Sequence, residues 1–302
     1  MSGVSDHVSD YLAMRRSLGF KLVFEGNVLP QLAAYIEAAG SSTVTTELAI
    51  AWAGLPSDHV LAISLAHRLG AARGFARYLR TIDGIAEIPP AGVWSATTPR
   101  PRPYIWTSDE ICRLLDATRH LAPLRAVTHE TLFGLLAATG MRIGEALGLE
   151  RHDIDIDAAV ITIRDAKFGR SRLVPLHPST STALAAYTAQ RDAVCPEATA
   201  LFVTSAGTPL RPSNVREVFN ELTTKIGLRT ATNRPRVHDL RHSFAVHTLI
   251  DWHRAGVDIE GRLPVLSTYL GHVNPSGTYW YLTAVPELME LAAQRLDRAS
   301  QR

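Results

Sequence analysis

Thr139-Gly140-Met141-Arg142-Ile143-Gly144-Glu145-Ala146-Leu147 is the stretch whose reading decides the architecture around it. Gly140 permits a turn, and Arg142 then opens a helix whose first amides and positive dipole end favour a bound phosphate. A guanidinium at that point adds planar, bidentate hydrogen bonding. Further along, His238-Asp239-Leu240-Arg241-His242 places His238 and Arg241 on one helix face, because residues three apart share a side. Leu270-Gly271-His272 and Tyr281 follow, and Lys167 lies between the two blocks. Two arginines, two histidines, a lysine and a tyrosine in this order can clamp a phosphodiester with guanidinium groups and attack it with a phenol.

Taken singly, each of these residues has a plainer role. Arg142 reads as a surface arginine paired with Glu145 or Glu150. His238 and His242 stand at metal-ligand spacing on a helix, but Arg241 is a fixed cation in the same turn and no glutamate lies between them, so no metal site is expected. Tyr279 and Tyr281 both compete for the nucleophile role, with aromatic packing beside Trp280 as the ordinary alternative. A phenol has a pKa of about 10 and attacks only with help from a base or from neighbouring cations, which His238, Arg142 and Arg241 supply. Lys167 belongs to a turn, from which a flexible lysine can protonate a departing alkoxide. No one of the plain readings accounts for the order of all six.

Working outward, residues 1 to about 85 carry helical patterns throughout. Helices are expected at Asp6 to Leu18, Val28 to Ala39, Thr45 to Ala53 and Ser57 to Ile82, with Thr45 or Thr46, and Ser57 or Asp58, as N-caps. Residues 86–103 hold Ile88-Pro89-Pro90 and Pro99-Arg100-Pro101-Arg102-Pro103, which removes amide donors and predicts an extended linker. Beyond it, Thr107-Ser108-Asp109-Glu110 is a capping box opening a helix through Ala117. Helices are expected at Leu124 to Thr139, Arg142 to Leu149, Thr180 to Arg191, Pro212 to Ile226, Leu240 to Trp252 and Pro286 to Ala299. Val160-Ile161-Thr162-Ile163 and Arg172-Leu173-Val174-Pro175-Leu176 are short and β-branched, and Lys167-Phe168-Gly169-Arg170 between them marks a hairpin in a small antiparallel sheet. The fold class is therefore mainly α with one small antiparallel β-sheet. An all-helical first domain (1–85) and a linker (86–103) precede an α+β domain (104–302).

Composition bounds the rest. A chain of 302 residues suits two domains. The net charge is only +2, so a nucleic-acid partner must be argued from where the charges lie. Arg73, Arg77 and Arg80 share one face of the fourth helix, whose interior has no acidic residue, and Lys225, Arg229, Arg234 and Arg236 precede the second block. The plainer reading of both sets is a solvated surface. Two distant cysteines, no signal peptide and no apolar run of membrane length point to a cytoplasmic chain with reduced thiols.

The joint pattern resembles the tyrosine recombinases, or phage integrase family, over about residues 104 to 282. Thr139 to Leu147 is similar to their first arginine box, and Lys167 with Arg172 to Leu176 to their β-hairpin lysine segment. His238 to Ala245 is similar to the second box, and Leu270-Gly271-His272 with the tyrosine nine residues later, Tyr281, to the third. Tyr279 does not fit that spacing. The resemblance implies a site-specific recombinase in which Tyr281 attacks the scissile phosphate to form a 3′-phosphotyrosyl link. Arg142, Arg241 and His272 would hold the non-bridging oxygens. Lys167 would protonate the 5′-oxygen, His238 would position groups or act as base, and Glu145 would orient the helix that bears Arg142. No metal or other cofactor is implied. The partner is double-stranded DNA with a specific core site, on which the protein self-associates as a tetramer. The opening Tyr11 to Lys21 is similar to openings in recombinases of transposons and other mobile elements, which favours that role over a dimer resolvase of the Xer type. A type IB topoisomerase and a catalytically idle DNA-binding protein are the further alternatives.

Overall fold

The computed structural model describes residues 3–56, 62–95, 102–166, 170–272, 277–279 and 281. The chain divides into two units, Met1–Pro101 and Arg102–Arg302.

The first unit has four helices among the described residues: α1 (Val4–Ser17), α2 (Val23–Ala38), α3 (Thr46–Ala53) and α4 (Ala62–Asp83). Their apolar stripes close on one core in which Leu29, Leu32, Ala33, Ile36, Ala49, Ala72, Phe75 and Ala76 are fully buried. Thr45 caps α3, its hydroxyl accepting from the Leu48 amide at 3.2 Å. α2 starts five residues before the expected Val28, because Leu22 takes a left-handed conformation (φ 43°) and its carbonyl accepts from the Gly26 amide. That departure is not written in the residue type, since leucine rarely adopts positive φ. The Ser57/Asp58 cap lies outside the described residues.

Part of the segment expected to be linker is hydrogen-bonded onto this unit. The Glu87 amide donates to Val44 O at 2.8 Å, and the Glu87 carboxylate accepts from the Thr46 amide at 2.7 Å. Ala86 is buried and Trp94 packs against the core. The prolines keep the stretch extended without keeping it off the surface.

The second unit contains α5 (Ser108–Ala117), α6 (Pro123–Thr139), α7 (Ile143–Leu147), α8 (Pro178–Val194), α9 (Pro212–Lys225), α10 (Val237–Arg254) and α11 (Ile259–Leu270). The Thr107–Glu110 capping box is present, with bonds of 2.9 and 3.2 Å. Between α7 and α8 runs a three-stranded antiparallel sheet, β1 (Ile154–Asp155), β2 (Val160–Ala166) and β3 (Arg170–Pro175), in the order β1-β2-β3. Ile161 pairs with Val174 and Ile163 with Arg172. Ile161, Ile163 and Val174 are buried while Leu173 is exposed. Strand alternation therefore puts Arg172 on the same inward face as Val174.

Trp106, Phe133 and Phe219 form the aromatic centre of the main core. A second cluster joins Ala245, Val246, Leu249 and Ile250 of α10 to Leu263, Leu266 and Leu270 of α11 and to Tyr281. No helix was expected at α11. Gly261 and Pro264 interrupt the local pattern, but Asp258 caps the first turn and the leucines pack on α10, so tertiary burial outweighs the weak propensity. The helix expected at Pro286 to Ala299 and the Lys167 turn lie outside the described residues. Among the described residues no helix is long and apolar enough to cross a membrane.

Candidate active site

Two glycine turns bring the distant motifs together. Gly140 ends α6 at φ 61°, and a Cβ there would lie 2.4 Å from the Phe244 ring. Gly271 ends α11 at φ 67°, and a Cβ there would lie 2.7 Å from Arg172 Nη1 and 3.3 Å from Arg142 Nη1. Each position needs both a left-handed backbone and no side chain.

The two arginines of the motifs converge on these turns. Arg241 of α10 is 2% exposed, and it donates to Gly140 O at 2.7 Å and to Leu270 O at 2.8 Å. Arg142, the N-cap of α7, donates to the neighbouring carbonyl, Gly271 O, at 2.8 Å. Adjacent peptides thus hold both guanidinium groups. Burial and then the charge of Arg142 push Arg241 down to about 10, which leaves it protonated at neutral pH.

Glu145 is the counter-charge, and a third arginine shares it. Its carboxylate accepts from the Arg142 amide at 2.9 Å and from Arg142 Nη1 at 2.7 Å. Arg172 grips both oxygens, at 3.1 and 2.8 Å, and its Nε donates to Tyr269 O at 2.9 Å. Sequence reasoning placed Arg172 only in the hairpin segment and missed its part in the site. The signal was there: an arginine two residues before Val174 on an alternating strand points inward and demands an anion. Three guanidinium groups around one carboxylate leave an excess of positive charge, the condition for receiving a phosphate.

Burial raises the Glu145 carboxyl, but the hydrogen bonds from Arg172 and Arg142 outweigh it and bring it down to about 2. A depressed carboxylate stabilises the fold above its unfolded pKa and loses that contribution as pH falls through the folded value. The displacement corresponds to about 3 kcal/mol. We expect the urea midpoint of the wild type to fall between about pH 4.5 and pH 2 through this group, and that part of the acid slope to vanish in Glu145→Gln. An unchanged slope in the variant assigns it to other carboxylates.

The histidines and Tyr281 complete the site. Tyr281 is 2% exposed, whereas Tyr279 is 52% exposed. The Tyr281 hydroxyl lies 3.0 Å from Nδ1 of His242, a residue that the sequence reading had weighed only as a metal ligand. The His272 ring stacks on Tyr281 at 6.3 Å between centroids and is oriented by the Thr278 hydroxyl, 2.7 Å from its Nδ1. His238 packs edge-on against His242, with centroids 4.6 Å apart. Desolvation, then the Arg241 charge, hold His238 below its ordinary value. The residue is nonetheless exposed, which weakens desolvation, but the cationic neighbours act in the same direction. Among the described residues no group of three His, Cys, Asp or Glu is placed to hold a metal.

The residues singled out for DNA contact fall into two groups. Arg77 and Arg80 are exposed and Arg73 is half-buried, and none meets a carboxylate at ion-pair distance among the described residues. Lys225 and Arg234 are exposed as well. Arg229 instead turns inward to Asn220 Oδ1 and Pro235 O, and Arg236 caps α10 through Asp239, with an ion pair of 2.8 Å.

Comparison with known proteins identifies the family. The model of the phage integrase family matches residues 105–287. An integrase/recombinase of Sinorhizobium fredii strain NGR234, y4rB, is 45% identical over 309 residues, spanning 99% of this chain and 98% of the relative. The tyrosine recombinase XerC of Escherichia coli O157:H7 is 31% identical over 220 residues, spanning 73% of this chain and 69% of XerC. Among solved structures, the Tn1549 transposon integrase in complex with transposon right end DNA superposes with a TM-score of 0.66 at 18% identity, covering 99% of this chain and all of that one. The XerH recombinase bound to a palindromic difH substrate gives 0.63 at 19% identity, over 89% of this chain and 78% of XerH. The chain belongs to the phage integrase family of tyrosine recombinases, enzymes that break and rejoin DNA. Its activity is site-specific recombination.

Proposed function

We propose that the chain recombines the ends of a mobile element, with Tyr281 as nucleophile. The observation that carries the catalytic reading is the convergence of Arg142 and Arg241 on adjacent carbonyls, in the same site as the Tyr281 hydroxyl. An incoming phosphodiester meets two fixed guanidinium groups and the His272 ring through its non-bridging oxygens. Preorganised donors of this kind stabilise the charge that develops at phosphorus. Tyr281 forms the 3′-phosphotyrosyl bond, Lys167 protonates the departing 5′-oxygen, His238 positions groups at the clamp, and Glu145 holds Arg142 in place. The opening Tyr11 to Lys21, similar to openings in recombinases of mobile elements, supports that role over dimer resolution. Exposed Arg73, Arg77, Arg80, Lys225 and Arg234 supply phosphate contacts.

Lys167 provides the test of the chemistry. Lys167→Ala slows cleavage of an ordinary 5′-oxygen substrate. A 5′-bridging sulfur leaves as a thiolate and needs little protonation, so the variant regains most of its rate there. An equal defect on both substrates removes Lys167 from the role of acid.

Strand exchange between two duplexes needs several active sites, so we propose a tetramer on paired sites, closed by the segment after Tyr281 docking into the neighbouring subunit. Leu288, Leu291, Ala292 and Leu296 in that segment recur at helical spacing. Deleting residues 287–302 leaves single-site binding intact and impairs pairing and recombination of two element ends in gel-shift and product assays. Wild-type recombination by the truncated chain removes the docking proposal.

A further inference from the structure

Three histidines share this site, and the mechanism above uses only His238 and His272. The His242 ring meets the attacking atom, with Nδ1 3.0 Å from the Tyr281 hydroxyl oxygen. We propose that His242 is the general base of cleavage, taking the phenolic proton of Tyr281 onto Nδ1 as the tyrosyl oxygen bonds to phosphorus. The proposal rests on Tyr281 being the nucleophile.

A phenol is almost wholly protonated at pH 7, yet its proton must leave as the oxygen–phosphorus bond forms. The acceptor must lie within about 2.6–3.2 Å and offer a lone pair, as a ring nitrogen of a neutral imidazole does. The other groups of the site meet these conditions less well. His238 is held below its ordinary value, which makes it a weaker proton acceptor, and it meets His242 only edge to face. His272 stacks on Tyr281 and points Nδ1 at Thr278. Arg241 and Arg142 are cations and accept nothing.

The turn of α10 that carries His242 is fastened through its two sequence neighbours. Its neighbour Arg241 is fastened to two carbonyls. On the other side, the Ser243 hydroxyl donates to Asp239 O at 2.8 Å and accepts from the Trp106 amide at 2.8 Å. His238 of α10 and Tyr281 pack against the His242 ring, Arg241 precedes it along α10, and His272 stacks on Tyr281. Arg142 of α7 adds its charge, as its effect on His238 shows. The arriving phosphate gains negative charge at the transition state and favours an imidazolium beside it.

The proton count closes without any further reactant. The Tyr281 oxygen–phosphorus bond forms and the phosphorus–5′-oxygen bond breaks. The phenolic proton goes to His242 Nδ1, and the 5′-oxygen takes its proton from Lys167. In rejoining, a 5′-hydroxyl gives its proton back to Lys167 as it attacks phosphorus, and Tyr281 departs, recovering its proton from His242. Acceptance at Nδ1 requires the tautomer with hydrogen on Nε2.

The experiment is single-turnover adduct formation on a nicked duplex from pH 6 to about 10, using the full chain. His242→Asn keeps a hydrogen-bonding amide and loses basicity, and His242→Gln serves as a second variant. Both are expected to lose about 10²-fold in rate at pH 7 and to recover about tenfold per pH unit as the phenol ionises unaided. Fluorotyrosine at position 281, with its more acidic phenol, restores much of the lost rate in the His242→Asn background. His238→Asn keeps the wild-type pH profile. A wild-type rate and profile in both His242 variants overturns the proposal, as does a loss that neither alkali nor fluorotyrosine relieves in protein that still binds DNA. Cleavage by Tyr281→Phe has a different meaning: the nucleophile assignment itself fails.

Discussion

Tyr281→Phe is expected to yield no covalent protein–DNA adduct on a nicked duplex, while binding of the intact site stays at the wild-type level. The substitution removes one oxygen from a side chain that is 2% exposed and packed with Leu266 and Leu270 in the α10–α11 cluster. The phenylalanine ring fills the same volume, and the fold loses the hydrogen bond to His242, worth about 1 kcal/mol. Under the proposed mechanism the chemistry loses its nucleophile. Tyr279→Phe is the control and keeps activity, since Tyr279 is half exposed and lies off the motif spacing. The measurement is a denaturing gel of the reaction in the presence and absence of EDTA. Cleavage surviving Tyr281→Phe, or lost to EDTA and restored by a divalent metal, moves the chemistry to the histidine cluster.

Arg241→Ala carries the second largest effect. The guanidinium is held between Gly140 O and Leu270 O, so it meets the phosphate without reorganising. Losing one preorganised donor of this kind costs about 10²–10³ in rate. The variant also strands two buried carbonyls, and a lowered melting temperature accompanies the rate loss. Arg241→Lys separates the two contributions. It restores a charge but not the planar fork that spans two carbonyls and a phosphate oxygen, so most of the rate defect remains. Arg142→Ala is expected to fall in the same range. It additionally removes one of the two guanidinium partners of Glu145, leaving Arg172 and the residue-142 amide, so the double variant with Arg172→Gln is expected to be non-additive. Near-wild-type cleavage by either single alanine variant removes that arginine from the phosphate clamp.

Much of the fold was legible because its signals are local. The Thr107–Glu110 capping box, the Gly140 stop after Thr139 and the β-branched runs flanking Lys167 each lie within a few residues of what they control. α11 was not legible, because Gly261 and Pro264 weaken its pattern and its stability comes from leucines meeting α10. The start of α2 was missed for a related reason: Leu22 adopts positive φ, a conformation its side chain does not announce. The extended stretch near Ala86 and Glu87 is tied down by Val44 and Thr46, a pairing some forty residues apart that no proline count reveals.

The candidate site divides along the same line. The sequence by itself determined which groups are present and in what order: Arg142, Glu145, Lys167, His238, Arg241, His272 and Tyr281 are all written in short motifs whose residue types dictate the chemistry. Only the tertiary structure decided which of them meet. Arg172 reaches Glu145 because the β2–β3 register turns it inward, and a register is a relation between strands rather than a property of either. His242 rather than His238 meets the Tyr281 hydroxyl because α10 and the chain after α11 pack at one particular rotation. Residues one turn apart on a helix are equivalent to any periodicity argument, and they become distinct only when a second element packs against one of them.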